Sequence, residues 1–112
     1  MAKYSLEEIR QLAGALAADS RLLIIDRLRS GPATSTELAA SAGIGLPAVQ
    51  KQLAVLQRVG LIASTKQGRV VIHRLQPERM DVLADWIRTR TSFWRNSFAT
   101  LESALDTATK GH

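Results

Sequence analysis

Cysteine is absent from the 112 residues, which excludes disulfides, thiolate metal sites and cysteine nucleophiles at once. Histidine is scarce: there are two, His73 and His112. His112 is the last residue after Gly111 and is expected to be frayed. No Ser/His/Asp constellation and no glycine-rich phosphate loop is present, and the acidic pair Glu7-Glu8 falls in a helical first turn, where carboxylates complement the helix dipole. The expectation is a protein without catalysis, metal or cofactor. Long apolar runs are lacking too. The densest patch, Leu22-Leu23-Ile24-Ile25, is far short of the roughly 18 residues of a membrane span. The start at Met1-Ala2-Lys3-Tyr4-Ser5 passes straight into an acidic helical pattern, so no signal peptide or membrane role is expected, and a cytoplasmic location is.

Acidic residues are missing from one particular place. Residues 1–44 carry five bases and five acids, and residues 80–112 carry four of each. Residues 45–79 carry six bases (Lys51, Arg58, Lys66, Arg69, Arg74, Arg79) against the single acid Glu78. The whole net charge of +5 therefore sits in the central third. Such a segment suits a polyanionic partner, although a solvated basic face would have the same composition. With 46% apolar and 22% charged residues, the chain reads as one globular domain over 1–112, with one core.

Periodicity predicts a mainly α fold with a small β-hairpin. Ser5 and Glu8 form a capping-box pattern before a helix over 5–17, with Leu6, Ile9, Leu12, Ala13 and Leu16 on its stripe. Asp19 or Ser20 is expected to cap a second, central helix ending at Gly31-Pro32. Ser35 or Thr36 is expected to cap a short third helix that turns inward Leu38, Ala39 and Ala42. A fourth begins at Leu46-Pro47, where proline is tolerated in the first turn, and closes at Gly60. Two strands, 61–66 and 69–75, flank a tip at Gln67-Gly68. From Pro77 onward an inner stripe of Met80, Leu83, Trp86 and Ile87 leads into Trp94, Phe98, Leu101, Leu105 and Ala108. Those positions step by four and three. Thr89, Thr91 and Ser92 weaken helix propensity between the two stretches, so one helix or two remain open from sequence.

The third and fourth helices, joined at Ala42-Gly43-Ile44-Gly45, match a helix-turn-helix. Val49, Leu53 and Leu56 would face the core, leaving Gln50, Lys51, Ala54, Gln57 and Arg58 outward. Amides can pair with base edges, and cations with phosphate or guanine. The hairpin tip Lys66-Gln67-Gly68-Arg69 adds two cations beside this face. An ordinary amphipathic helix and a solubilising loop would satisfy each pattern separately.

In combination these segments resemble the ArsR/SmtB family of winged helix-turn-helix repressors. The resemblance rests on Leu46–Ile62, on the wing Gly68-Arg69-Val70-Val71-Ile72-His73-Arg74-Leu75, and on Asp19–Leu28. It implies homodimeric binding of double-stranded DNA at a near-palindromic operator. The implied DNA contacts are Pro47, Ala48, Gln50, Lys51, Gln52, Ala54, Arg58, Lys66, Gln67, Arg69 and Arg74. In the family the first and last helices form the dimer interface, which places Leu6, Ile9, Leu12, Trp94, Phe98, Leu101 and Leu105 there. Trp86-Ile87-Arg88 and Phe93-Trp94 resemble a cysteine-free branch. Gln50 stands where the family usually has Ser, Gln52 where it has His, and Gly45 where it has a Ser cap. The family's metal-sensor positions do not carry over. Thr36-Glu37-Leu38-Ala39-Ala40 holds no cysteine, and the last helix offers Glu102 and Asp106 without histidine. His73 alone reads as structural or DNA-facing. No small-molecule inducer is identified by these residues. The competing expectation is a winged-helix protein-interaction module without DNA binding, which has no need for the concentrated central charge.

Overall fold

Ser5 starts the first helix, α1 (Leu6–Ala15), its Oγ accepting the Glu8 backbone N–H at 3.1 Å. The expected return bond is replaced: the Glu8 carboxylate pairs with Arg79 at 3.5 Å instead. Ile9, Leu12 and Ala15 are buried, whereas Leu6 and Ala13 are exposed, so the inward stripe is narrower than expected. The computed structural model describes residues 4–110; the expectations for Met1–Lys3 and for His112 lie outside them.

The second helix, α2 (Asp19–Leu28), has Ala18 at its N-cap and no side-chain cap, so neither Asp19 nor Ser20 plays that part. Arg21 holds this corner instead, its Nε donating to the Ala15 carbonyl at 2.6 Å. Four consecutive apolar residues on a helix sweep almost the whole circumference. Ile24 and Ile25 are buried with Leu28, while Leu22 and Leu23 are each 45% exposed. The helix is central, as expected, but only part of its apolar surface faces the core.

After Gly31-Pro32 the chain makes a two-residue strand that the sequence pattern did not reveal, β1 (Ala33–Thr34). Its extended backbone puts Thr34 at the N-cap of α3 (Ser35–Ala42), with φ −81° and ψ 163°. Thr34 and Glu37 form the reciprocal capping box, with Glu37 N–H donating to Thr34 Oγ1 at 3.2 Å and Thr34 N–H to Glu37 Oε1 at 3.0 Å. Ser35 and Thr36 are therefore already helical and do not cap it. Helix α4 spans Leu46–Arg58. Strands β2 (Ile62–Gln67) and β3 (Val70–Leu75) pair antiparallel, and β1 adds to the other edge of β3, giving the order β1-β3-β2. Gln67 pairs with Val70, so the hairpin tip is Gly68-Arg69 rather than Gln67-Gly68. Gly68 takes φ +65°, which suits glycine at the first position of a two-residue hairpin loop.

The last element is one unbroken helix, α5 (Pro77–Lys110). The Thr91, Thr100, Thr107 and Thr109 hydroxyls each bond back to a carbonyl four residues earlier, at 2.7–2.9 Å. This local satisfaction lets threonine sit in a helix interior. Leu83 is buried, but Ile87 turns out to solvent.

The core joins Ile9 and Leu12 of α1, Ile24, Ile25 and Leu28 of α2, Leu38 of α3, Val49, Leu53 and Leu56 of α4, and Leu61, Ile62 and Leu83. Leu12 lies at its centre with no exposed surface. Replacing Leu12 with Ala should cost about 2–5 kcal/mol, read as a lowered urea midpoint with an unchanged denaturant slope.

Candidate nucleic-acid interface

The turn between α3 and α4 is fixed by Gly43, which caps α3 in the left-handed conformation at φ +67°. The Ile44 N–H reaches back to the Ala39 carbonyl at 3.1 Å. The chain thereby leaves α3 at a set angle, and Pro47 sits in the first turn of α4, where its missing N–H has no helical partner to lose. Burial of Val49, Leu53 and Leu56 along one edge leaves Pro47, Gln50, Lys51, Ala54, Gln57 and Arg58 exposed on the other. Ala48 is half-buried.

The wing lies beside the start of this helix. Gln50 and Leu46 of α4, Thr34, Ser35 and Thr36 at the start of α3, and Arg69, Val70 and Val71 of the wing line one shallow groove of about 250 Å³. Lys66, Gln67 and Arg69 are exposed around the tip. Two expected contacts fall elsewhere. Gln52 is half-buried, its Oε1 accepting from Arg21 Nη1 at 2.6 Å. It ties α4 to α2 and is withdrawn from the reading face. Arg74 pairs across the ladder with Ala63, whereas His73 pairs with Ser64. Because side chains alternate along a strand, Arg74 is exposed on the opposite sheet face from His73. Arg79 is also turned inward: its Nε donates to the Val59 carbonyl at the end of α4, at 3.2 Å, besides its pairing with Glu8. The six cations counted along residues 45–79 are thus not one surface. Thr36, Leu46 and Val71 were not among the residues the sequence pointed to. Thr36 had been assigned to capping, and Leu46 and Val71 are apolar.

His73 is 2% exposed and is structural rather than DNA-facing. Its Nδ1 lies 2.6 Å from Ser64 Oγ and its Nε2 2.8 Å from Ser35 Oγ. Ser64 Oγ in turn accepts from Gln57 Nε2 at 2.5 Å. Gln57, expected among the outward amides, is thus engaged within the protein. Burial holds the His73 imidazole below its usual value, because removal from water disfavours the charged form.

At the far end of the molecule, Trp94, Phe98, Leu101 and Leu105 are 51–64% exposed along α5. The Trp94 and Phe98 rings lie 5.9 Å apart. Leu6 is exposed as well. Ile9 and Leu12, assigned from sequence to a dimer interface, are 5% and 0% exposed in the single chain. They belong to the protomer's own core and present no surface to a partner. Among the described residues, no group of three or more His, Asp or Glu is placed to hold a metal ion, and no helix is long and apolar enough to cross a membrane.

A helix-turn-helix followed by a β-hairpin, with a third strand tying the hairpin to the start of the first motif helix, defines a winged helix-turn-helix. The helix-turn-helix domain family matches residues 16–65. The chain is 33% identical to an ArsR family transcriptional regulator of known crystal structure, with a TM-score of 0.76, covering 85% of this chain and 97% of that one. It belongs to the ArsR family of transcriptional regulators. It is also 39% identical over 71 residues to the HTH-type transcriptional regulator NmtR of Mycobacterium tuberculosis; the match takes in 63% of this chain and spans only 59% of that relative's length. A homodimeric winged helix-turn-helix DNA-binding domain from Mycobacterium bovis shares the fold, with a TM-score of 0.63, 24% identity, and coverage of 100% of this chain and 96% of that one.

The depressed pKa of His73 sets a sign for the pH dependence of stability. Above the usual histidine value near 6.5 both folded and unfolded chains carry it neutral. As pH falls through that value the unfolded chain takes up the proton first, so stability declines until the folded value is passed. Thermal unfolding followed from pH 7.5 to 5.5 should show a falling midpoint, and His73→Gln should flatten that fall. The two exposed carboxyls held below their usual range, Glu7 by Arg10 and Glu37 chiefly by the Thr34 N–H, titrate at lower pH and leave this window to His73.

Proposed function

We propose that the chain is a sequence-specific double-stranded-DNA-binding repressor that acts as a homodimer on a near-palindromic operator. The observation that carries this is the juxtaposition of Gln50 on α4 and Arg69 on the wing across one groove, with Lys51 and Arg58 also exposed on α4 and Lys66 on the wing. An exposed helix of this width fits a major groove, and the amide of Gln50 is suited to a bidentate contact with adenine. Pro47, Ala48 and Ala54 are small or compact, and let the helix approach closely. Lys51, Arg58, Lys66, Gln67 and Arg69 supply backbone contacts, and release of condensed counterions supplies much of the affinity. Repression rests on the family resemblance.

The dimer reading rests on the apolar seam of α5, with Leu6 of α1 at its side. Aromatic anchors of this kind dominate protein interfaces. Two copies joined through these helices would present their α4 helices to successive major grooves about 34 Å apart. On this reading residues 1–112 are a single winged domain, with α1 and α5 as its dimerisation helices. The homodimeric assembly described for the Mycobacterium bovis protein of the same fold is consistent with it.

An operator is obtainable by selecting bound sites from random duplexes, and the variants are then titrated on that site and on a scrambled one. Arg69→Ala should weaken binding to both and lower the slope of log affinity against log salt by about 0.9, one phosphate contact. Gln50→Ala should cost about 1–3 kcal/mol on the selected site and little on the scrambled one. Failure of the unaltered protein to bind any duplex at low salt would leave a protein-docking role in place of the nucleic-acid one. Leu101→Glu should shift the sedimenting species from dimer to monomer while leaving the far-ultraviolet spectrum helical; a dimer that survives this change places the interface elsewhere.

A further inference from the structure

The hydrogen-bonded chain through His73 crosses four elements. Gln57 is on α4, Ser64 on β2, His73 on β3, and Ser35 is the first residue of α3. The directions are mutually consistent. Ser64 Oγ accepts from the Gln57 amide at 2.5 Å, which leaves its hydroxyl proton for His73 Nδ1 at 2.6 Å. The opposite ring nitrogen then carries the proton, and Nε2–H donates to Ser35 Oγ at 2.8 Å. A neutral imidazole, one nitrogen donating and one accepting, satisfies every bond. The ring is buried, so its polar atoms cannot turn to water at no cost. Ser64 and Gln57 lie at the exposed end, between the last turn of α4 and the wing.

We propose that Gln57, Ser64, His73 and Ser35 form a strut that sets the angle between the wing and α4, and that Gln57 is a positioning residue for the wing rather than a reader of bases. The inference deepens the DNA-binding reading and rests on it for its affinity readout. Strand β1 ties β3 to the start of α3 through the Ala33–His73 and Thr34–Ile72 pairs; with that edge alone held, the outer strand β2 and the tip cations could still pivot about it. The strut fixes the middle of the hairpin, at the Ser64–His73 pair, on both helices of the reading motif. Lys66 and Arg69 are thereby presented at a constant distance from Gln50.

The test uses the two exposed positions, whose substitution leaves the core intact. Gln57→Ala, which loses one hydrogen bond, should weaken binding about three- to tenfold, and Ser64→Ala, which loses two, at least as much. The loss should be the same on selected and scrambled duplexes, because wing contacts go to phosphate. The double variant should be no weaker than Ser64→Ala alone, and Ser64→Thr, which keeps the hydroxyl, should bind as the unaltered protein does. Amide exchange in β2 and β3 of the free protein should quicken in Gln57→Ala and Ser64→Ala and return to normal in Ser64→Thr. A loss confined to the selected site and additive with Ser64→Ala would overturn the proposal in favour of direct base reading by Gln57. Unchanged affinity and unchanged exchange would overturn it outright. If the unaltered protein binds no duplex, the DNA-binding reading fails, and the exchange measurement alone decides the strut.

Discussion

Burial of Val49, Leu53 and Leu56 along one edge of α4 is the constraint on which the rest of the molecule turns. Once that edge is sunk into the core with Leu38 and Ile24, the rotation of the helix about its own axis is no longer free. Gln50, Lys51 and Arg58 must face out, and Gln52 must face α2. The Gly43 turn sets where the helix begins, and the buried edge sets which way it looks. Apolar burial, which is non-directional as a force, acquires direction here because the three residues are spaced for one face of a helix.

Much of this was legible from sequence, because it follows from spacing. The first four helices, the start of α4, the hairpin and the central core came from periodicity and from glycine and proline punctuation, whereas Thr89 and Thr91 leave one C-terminal helix or two open. What escaped were features that depend on a partner distant in the chain. Strand β1 is two residues long and exists because β3 offers it an edge; Ala33-Thr34 has no strand signature of its own. The cap of α3 moved to Thr34 for the same reason, since pairing holds Thr34 extended. The hairpin register is the most instructive case. A tip at Gln67-Gly68 would have set His73 opposite Ile62, in an apolar setting. With the tip at Gly68-Arg69 it stands opposite Ser64, and a polar chain to Gln57 becomes possible. A shift of one residue in the turn thus decides whether a buried histidine has partners.

Charge counted along the chain and charge presented on a surface are different quantities. Arg21 and Arg79 spend their donors on carbonyls at helix ends, those of Ala15 and Val59. There a cation complements the negative end of the helix dipole. These two arginines act as local fasteners, Arg21 between α1, α2 and α4 through Gln52, and Arg79 between α4, α5 and Glu8. Arg74 remains outside but on the other sheet face. What is left exposed on α4 and the hairpin tip is Lys51, Arg58, Lys66 and Arg69, a smaller set than the sequence count, of which Arg69 lines the groove with Gln50.

The final half of α5 has its own physical demand. From Ser92 through Thr109 every residue is exposed, so this stretch buries little of its apolar surface within its own chain. Most helix stability in proteins comes from packing of an apolar face, and this stretch has little such packing of its own beyond its continuity with the packed start of α5. The stretch nonetheless carries Trp94, Phe98, Leu101 and Leu105 at coiled-coil spacing, a face of the kind that packs against another helix. The molecule is 75 Å long and 32 Å across because this helix runs beyond the domain. A seam designed for contact, on a helix that needs contact to be stable, is the physical ground for the proposed dimer. It also couples assembly to folding: the last turns of α5 would be ordered by the second copy, and the spacing of the two reading helices would be set by the same association that stabilises them.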